Sequence, residues 1–329
     1  MTIENLLNII GGKPMNQAKV KKVESATIYP SKVELGDLFF AYEHEGIERA
    51  IENGAYAVVY EGEHPKISDE EIAYIHVDSI KEATIKFLRY ILIQKESQIY
   101  YFKSIEYSLL KLISHRKSTL FTMLPNNWQK SFETILNSDY QIFITNNQED
   151  AQKLSPQFLE LSKKADGYIV NDTLLKSTFK IDKFIYQNMD LTPLFFNDLL
   201  RVVEFCKANE IEYDIHRVRY TKEFLPYYVE DDLTPVTRGS SEKVLIFTQD
   251  TATIDRSIEY LRHQSKWIKS IALTPPKTKL ENIARPIWYE NLEYAKEILK
   301  NEFYNYAFCY NLDPKDILNR DGNQESTLF

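Results

Sequence analysis

The chain has 329 residues, a formal net charge of -8 and a pI near 5.5. Such a field repels polyanions and excludes a general nucleic-acid binder. Mean hydropathy is -0.39, and no apolar run approaches the roughly 18 residues of a spanning helix, so membrane insertion is not expected.

The length suits two or three domains, each able to bury a core. The longest apolar candidate, Ile85 to Ile93, is interrupted by Lys86 and Arg89 and reads as a partly buried helix. Glu4 comes early, and Gly11, Gly12 and Pro14 end the first apolar stretch, so no signal peptide is read and a cytoplasmic location is expected. Cys206 and Cys309 sit among apolar neighbours, as buried free thiols do. The six histidines are scattered without zinc-ligand spacing, so no metal site is expected.

In chain order, Ile3, Leu6, Leu7 and Ile10 form a helical stripe closed by Gly11-Gly12. Strands are expected near 22–28, 37–41, 57–60 and 72–77, with a helix over 47–53 closed by Gly54. A helix over 79–94 follows, with Asp78 or Ser79 as its N-cap. Then come strands at 98–102, 119–124, 141–145 and 168–170, and helices at 107–114, 128–136 and 155–164. A helix over 194–209 leads to a polar connector at 234–241. The last part alternates strand 243–248, helix 254–262, strand 270–273, strand 286–289, helix 292–301 and strand 304–310, a Rossmann-like unit. Residues 319–329 are expected to be disordered, and Gln324 to Phe329 could serve as a docking peptide.

The stretch Val33-Glu-Leu-Gly-Asp-Leu-Phe-Phe-Ala41, the helix ending Asn53-Gly-Ala55 and the strand Ala57-Val-Val-Tyr60 resemble the N-terminal domain of the Mur ligases. Those enzymes add amino acids to UDP-muramoyl peptides, and the resemblance is to the branch that attaches D-alanyl-D-alanine. It implies an α/β, Mur-ligase-like fold. That fold has a small N-terminal α/β domain of UDP-sugar-binding type (1–80), a central, mostly parallel, ATPase-like domain (81–240) and a short Rossmann-like C-terminal domain (241–318).

The same resemblance exposes departures. The family's Asp-Ser-Arg triplet is replaced by Tyr29-Pro30-Ser31, and its long Gly-rich loop shortens to Tyr42-Glu-His-Glu-Gly46. Where the family's Gly-Thr-x-Gly-Lys-Thr loop is due, the chain reads Gln98-Ile-Tyr-Tyr-Phe-Lys-Ser-Ile-Glu-Tyr-Ser108. No glycine occurs between Gly62 and Gly167. A phosphate-cradling loop needs glycines so that backbone N–H groups can turn inward. Ile142-Phe-Ile-Thr-Asn-Asn147 resembles the strand that precedes a catalytic His-x-Asp/Glu, yet Gln148-Glu149-Asp150 follows. A lysine that is carbamylated in the family falls near Lys163 and Lys164, and neither can be assigned to it. Lys243 to Asp250 with the helix after it resembles the start of the family's C-terminal domain.

From these departures the expectation is a non-catalytic Mur-ligase-like protein without ATP or magnesium. It would hold a muramoyl-peptide or nucleotide-like ligand, or scaffold proteins of peptidoglycan synthesis. Two alternatives stay open: an active peptide ligase with an atypical nucleotide site, and an unrelated α/β enzyme. No catalytic residue is assigned. The candidate ligand contacts are Ser31, Lys32, Lys103, Ser104, Asn146 and Asp250, with Arg217 and Arg219 from the basic run 216–222, which alternates like a strand edge.

Overall fold

A computed structural model describes residues 1–65, 69–115, 119–264, 266–282 and 286–319. The chain divides into two compact units: Met1–Lys103 with Lys117–Leu161, and Ser104–Arg116 with Ser162–Phe329.

The first unit opens with α1 (Ile3–Ile10), whose Thr2 hydroxyl accepts the Asn5 N–H as an N-cap. Gly11 closes it at φ 71°, a left-handed cap that suits a residue without Cβ, and donates to the Leu7 carbonyl. Strands β1 (Lys13–Pro14), β2 (Ala26–Thr27), β3 (Leu38–Phe40), β4 (Ala57–Tyr60) and β5 (Ala73–His76) form one sheet in the order β1-β5-β4-β3-β2. All neighbours are parallel except β1 with β5.

Strand alternation sends Leu38, Phe40, Ala57, Val59 and Ile75 to one face, against Leu6 and Ile10 of α1 and Phe87 and Leu88 of α3 (Ile80–Gln94). Phe39, Val58, Tyr60 and Tyr74 pack on the other face against α2 (Gly46–Glu52). Ser79 caps α3 by accepting the Glu82 N–H.

After α3 runs β6 (Gln98–Tyr101), then, past α4 (Ser104–Ile113) of the second unit, β7 (Phe121–Met123), α5 (Trp128–Leu136), β8 (Ile142–Thr145), α6 (Gln148–Leu154) and β9 (Leu159–Glu160). These strands make an all-parallel sheet in the order β7-β8-β6-β9. Phe132 of α5 meets Phe40 edge-on at 5.8 Å, so one apolar core runs through the unit. A helix over 155–164 does not form; Ser155 is the extended C-cap of α6 (φ -145°, ψ 115°), Pro156 disfavours a helical predecessor and so stops α6 there, and the chain goes on into β9.

In the second unit α4 packs on α7 (Phe196–Ala208), with Leu109, Leu110 and Ile113 of α4 and Leu199, Val202 and Cys206 of α7 all buried. Arg201 binds Glu106 at 2.6 Å and also pairs with Asp198. Before α7 lies an antiparallel meander of β10 (Gly167–Asp172), β11 (Ser177–Ile181) and β12 (Phe184–Met189). Its last two strands lack a sequence signal because Asp182 takes the left-handed φ of 52° at their turn, where glycine or asparagine usually marks a hairpin.

A second sheet contains β13 (Leu225–Val229), β14 (Pro235–Val236), β15 (Lys243–Thr248), β16 (Ser270–Thr274), β17 (Ile287–Trp288) and β18 (Tyr306–Tyr310), in the order β14-β13-β15-β18-β16-β17. The last four in sequence are parallel and are joined through α8 (Thr251–Gln264) and α9 (Leu292–Asn301), a Rossmann-like arrangement. A short α10 (Pro314–Ile317) ends the described chain, and Asn319 donates to the Leu233 carbonyl. The expected disordered tail and docking peptide lie, from residue 320 on, outside the described residues. Among the described residues no helix is long and apolar enough to cross a membrane.

Candidate functional site

In parallel sheets ligands gather at the carboxyl ends of the strands, where the connecting loops open. Both sheets of the first unit have such an edge. In the all-parallel one, β6 and β8 lie side by side with Tyr101 opposite Thr145. The residues following them, Phe102–Lys103 and Asn146–Asn147, therefore come to the same edge. Two of the sequence-derived candidates, Lys103 and Asn146, are brought together there.

The course of the chain after β6 decides what this edge can do. Phe102 is fully buried and its N–H donates to the Thr145 carbonyl at 2.9 Å, continuing the ladder by one residue. None of the residues from 97 to 105 has positive φ; the nearest is Glu96, before the strand. Ser104 is already the first residue of α4 and is exposed. Asn147 turns to its own helix, its Oδ1 accepting the Glu149 and Asp150 N–H groups at 3.0 and 3.2 Å. Burial holds the Asp150 carboxyl above the ordinary carboxylate range, while the Lys153 ammonium pulls it the other way.

Ser31 and Lys32 occupy a 3-10 turn, Pro30–Lys32, away from that pair of strand ends. Lys32 Nζ lies 3.2 Å from Glu133 Oε2 and 4.8 Å from the Tyr29 ring centroid. Glu133 is 8% exposed and also accepts from the Thr27 hydroxyl at 2.9 Å and from Asn137 Nδ2 at 3.2 Å. Lys32 thus has a carboxylate partner within its own fold while its side chain stays largely exposed.

The other edge, at β4 and β5, holds a group that sequence reading passed over. His44, His64 and His76 surround the buried Tyr60 ring at centroid distances of 6.1, 5.6 and 5.6 Å. The Tyr60 hydroxyl has no hydrogen-bond partner among the described residues, and burial raises its pKa. The three histidines look scattered along the chain because His44 and His64 follow β3 and β4 while His76 ends β5. Their common signal is position, each falling at or within a few residues of a strand end. Among the described residues no three His, Cys, Asp or Glu side chains are placed to hold a metal.

In the second unit Asp250 is the cap of α8. Its carboxylate accepts the Ala252 and Thr253 N–H groups at 3.0 and 3.1 Å and the Thr253 hydroxyl at 2.7 Å. The basic run 216–222 is not a strand edge. Asp214 accepts the His216 N–H and starts a 3-10 turn, Ile215–Arg217, which breaks the alternation. Arg217 donates to the Ser114 carbonyl at 2.9 Å, whereas Arg219 donates to the His216 and Val218 carbonyls and borders a small cleft. The two thiols are buried and free; burial pushes Cys206 up to about 12 and Cys309 higher still, so neither is a nucleophile near neutral pH.

No protein-family model matches the sequence, and no curated protein matches it. Solved structures do. MurF from Acinetobacter baumannii aligns with 94% of this chain and 95% of its own at 10% identity, with a TM-score of 0.51. The chain has the fold of a Mur ligase. The MurF ligase from Thermotoga maritima in complex with ADP aligns over 89% of this chain and 95% of its own, at 13% identity and TM-score 0.49. A D-alanyl-D-alanyl ligase from Acinetobacter baumannii aligns over 96% of both chains, at 10% identity and TM-score 0.48. The Mur-ligase fold includes the small α/β sheet, the parallel sheets and the Rossmann-like end that the Gly-Asp-Leu-Phe-Phe block at 36–40 implied.

Proposed function

We propose that this chain is a non-catalytic protein on a Mur-ligase fold, acting in peptidoglycan synthesis by binding rather than by ligation. It holds a muramoyl-peptide or nucleotide-like ligand, or scaffolds proteins of the pathway, and uses neither ATP nor magnesium. One observation carries the reading: Phe102 extends the β6 ladder as a buried residue where a phosphate loop would turn its backbone inward. A nest of inward N–H groups requires left-handed residues, which cost about 1–2 kcal/mol each with a Cβ present. This stretch has neither glycine nor positive φ. The absence of a histidine after Asn147 supports the same reading, since Gln148 and Glu149 instead begin a capped helix.

Calorimetric titration of the full chain with Mg-ATP tests the proposal. No saturable heat is expected at millimolar nucleotide, and no phosphate release in the presence of UDP-muramoyl-tripeptide and D-alanyl-D-alanine. Tight magnesium-dependent ATP binding or any turnover would overturn it. Saturable binding of the UDP-muramoyl-peptide without turnover supports the ligand-holding form.

A further inference from the structure

The antiparallel meander β10-β11-β12 lies wholly within the second unit. Its inner face belongs to the core: Phe179 and Ile181 of β11 are buried, with Phe179 against Phe196 of α7 at 5.1 Å. An antiparallel sheet with one face in the core usually presents polar side chains on the other. This one does not. Cross-strand pairing puts Tyr168, Lys180 and Ile185 in one row on the outward face, where Tyr168 is 57% and Ile185 58% exposed. Val170, the extra residue of a bulge in β10, is 54% exposed.

The turn at 181–184 adds apolar surface on the other side. Phe184 pairs with the buried Ile181, so alternation puts it on the opposite side of the ribbon from Ile185, yet it is 66% exposed. Single exposed apolar residues are ordinary; here they flank both sides of one hairpin end. A flat partner would cover Tyr168 and Ile185 or else Phe184. A medium that surrounds the tip covers all three. The charges select the medium. Asp182 at the turn is matched by Lys207. Lys180 and Lys183 form no ion pair among the described residues, and Lys180 Nζ stands 5.8 Å from the Tyr168 ring centroid. Lys163 and Lys164 are exposed on the approach to β10, where Asp166 is the remaining carboxylate. This end is therefore locally basic in a chain of net charge -8, and carboxylates farther than about 8 Å are largely screened at physiological salt. All its cations are lysines, which protein interfaces deplete in favour of arginine. Lysine beside aromatic and aliphatic side chains suits an anionic headgroup layer, its stem on apolar surface and its ammonium among the phosphates.

We infer that the hairpin end at 180–185 docks this protein on an anionic lipid bilayer, with Tyr168, Phe184 and Ile185 entering the interface and Lys180 and Lys183 meeting headgroup phosphates. The contact is peripheral, in keeping with the lack of a spanning helix among the described residues. It is separate from the strand ends of the first unit and does not depend on what they hold.

Sedimentation of the full-length protein with phosphatidylcholine vesicles, with and without phosphatidylglycerol, tests the assignment. Binding is expected to the anionic vesicles, about tenfold or more weaker to the neutral ones, and falling as salt is raised. The double variant Phe184→Ser, Ile185→Ser and the double variant Lys180→Glu, Lys183→Glu should each weaken it about tenfold or more. Neither touches a buried side chain, so the thermal melting profile should stay cooperative. Phe303→Ser, at an aromatic 67% exposed elsewhere in the same unit, should leave binding unchanged. No binding to anionic vesicles, equal binding to neutral ones, or unchanged binding in either double variant would overturn the assignment. So would self-association in ultracentrifugation that Phe184→Ser, Ile185→Ser abolishes while vesicles stay unbound, since the face would then belong to a second copy.

Discussion

Replacing Glu133 with alanine probes whether Lys32 belongs to the scaffold or to a ligand. The carboxylate is 8% exposed and receives the Thr27 hydroxyl at 2.9 Å, the Asn137 amide at 3.2 Å and Lys32 at 3.2 Å; the Ile28 N–H at 3.4 Å adds little. Thr27 is 4% exposed, so its hydroxyl would be orphaned, at about 1–3 kcal/mol. Lys32 is 59% exposed at its side chain and would return to water, a loss of about 0–1 kcal/mol. Together with the small cavity, Glu133→Ala should destabilise the first unit by about 3 kcal/mol. Glu133→Gln, which keeps an acceptor for Thr27, should cost about 1 kcal/mol. Trp128 is the single tryptophan of that unit, so urea unfolding can follow its fluorescence in a Trp267→Phe, Trp288→Phe background. A cycle with Thr27→Val should give a coupling of about 1–2 kcal/mol. A loss below about 1 kcal/mol for the alanine variant, or no coupling to Thr27, would refute this account of Glu133.

Phe40 packs against Phe87 at 5.2 Å and Phe132 at 5.8 Å with no exposure, so Phe40→Ala should lose about 3–5 kcal/mol in the same assay. Ser79→Ala removes the α3 cap and should cost about 1 kcal/mol, recoverable with Ser79→Asp. The Cys206 thiol holds its proton to about 12 when folded but ionises from 9.0 when unfolded, so the unfolded chain loses protons first and stability falls as pH rises through that window. Cys206→Ala should remove about 1.4 kcal/mol of that decline by pH 10, read from urea midpoints at pH 8 and 10. Neither thiol should react with a disulfide reagent at pH 8 until the protein is unfolded.

Periodicity located most elements because the central strands of the first unit, β3, β4 and β8, are buried throughout and are short apolar runs between turns. Ala57–Tyr60, Lys243–Thr248 and Leu292–Asn301 fall where the pattern puts them. It failed where a local device replaced the usual residue. Asp182 takes a turn conformation that glycine would have announced, and the stretch 155–164, whose apolar spacing favours a helix, runs into the short strand β9 instead. Of the candidate site residues, Lys32 and Asp250 have partners within the fold that the sequence did not show. Both carry charge at loop positions, as ligand contacts do, and each satisfies a local partner that only the folded chain supplies.

What the sequence determined by itself was the frame: turn residues, apolar runs and the lack of glycine between 62 and 167 follow from local backbone sterics. Those constraints act over a few residues and are readable there. Which groups meet was decided by tertiary structure. Three histidines from three separate stretches of the chain meet around Tyr60, and Thr192 and Thr221 line one cleft from segments about thirty residues apart. Strand order and the crossing of helices set those meetings, and neither is encoded in the spacing of the residues that meet.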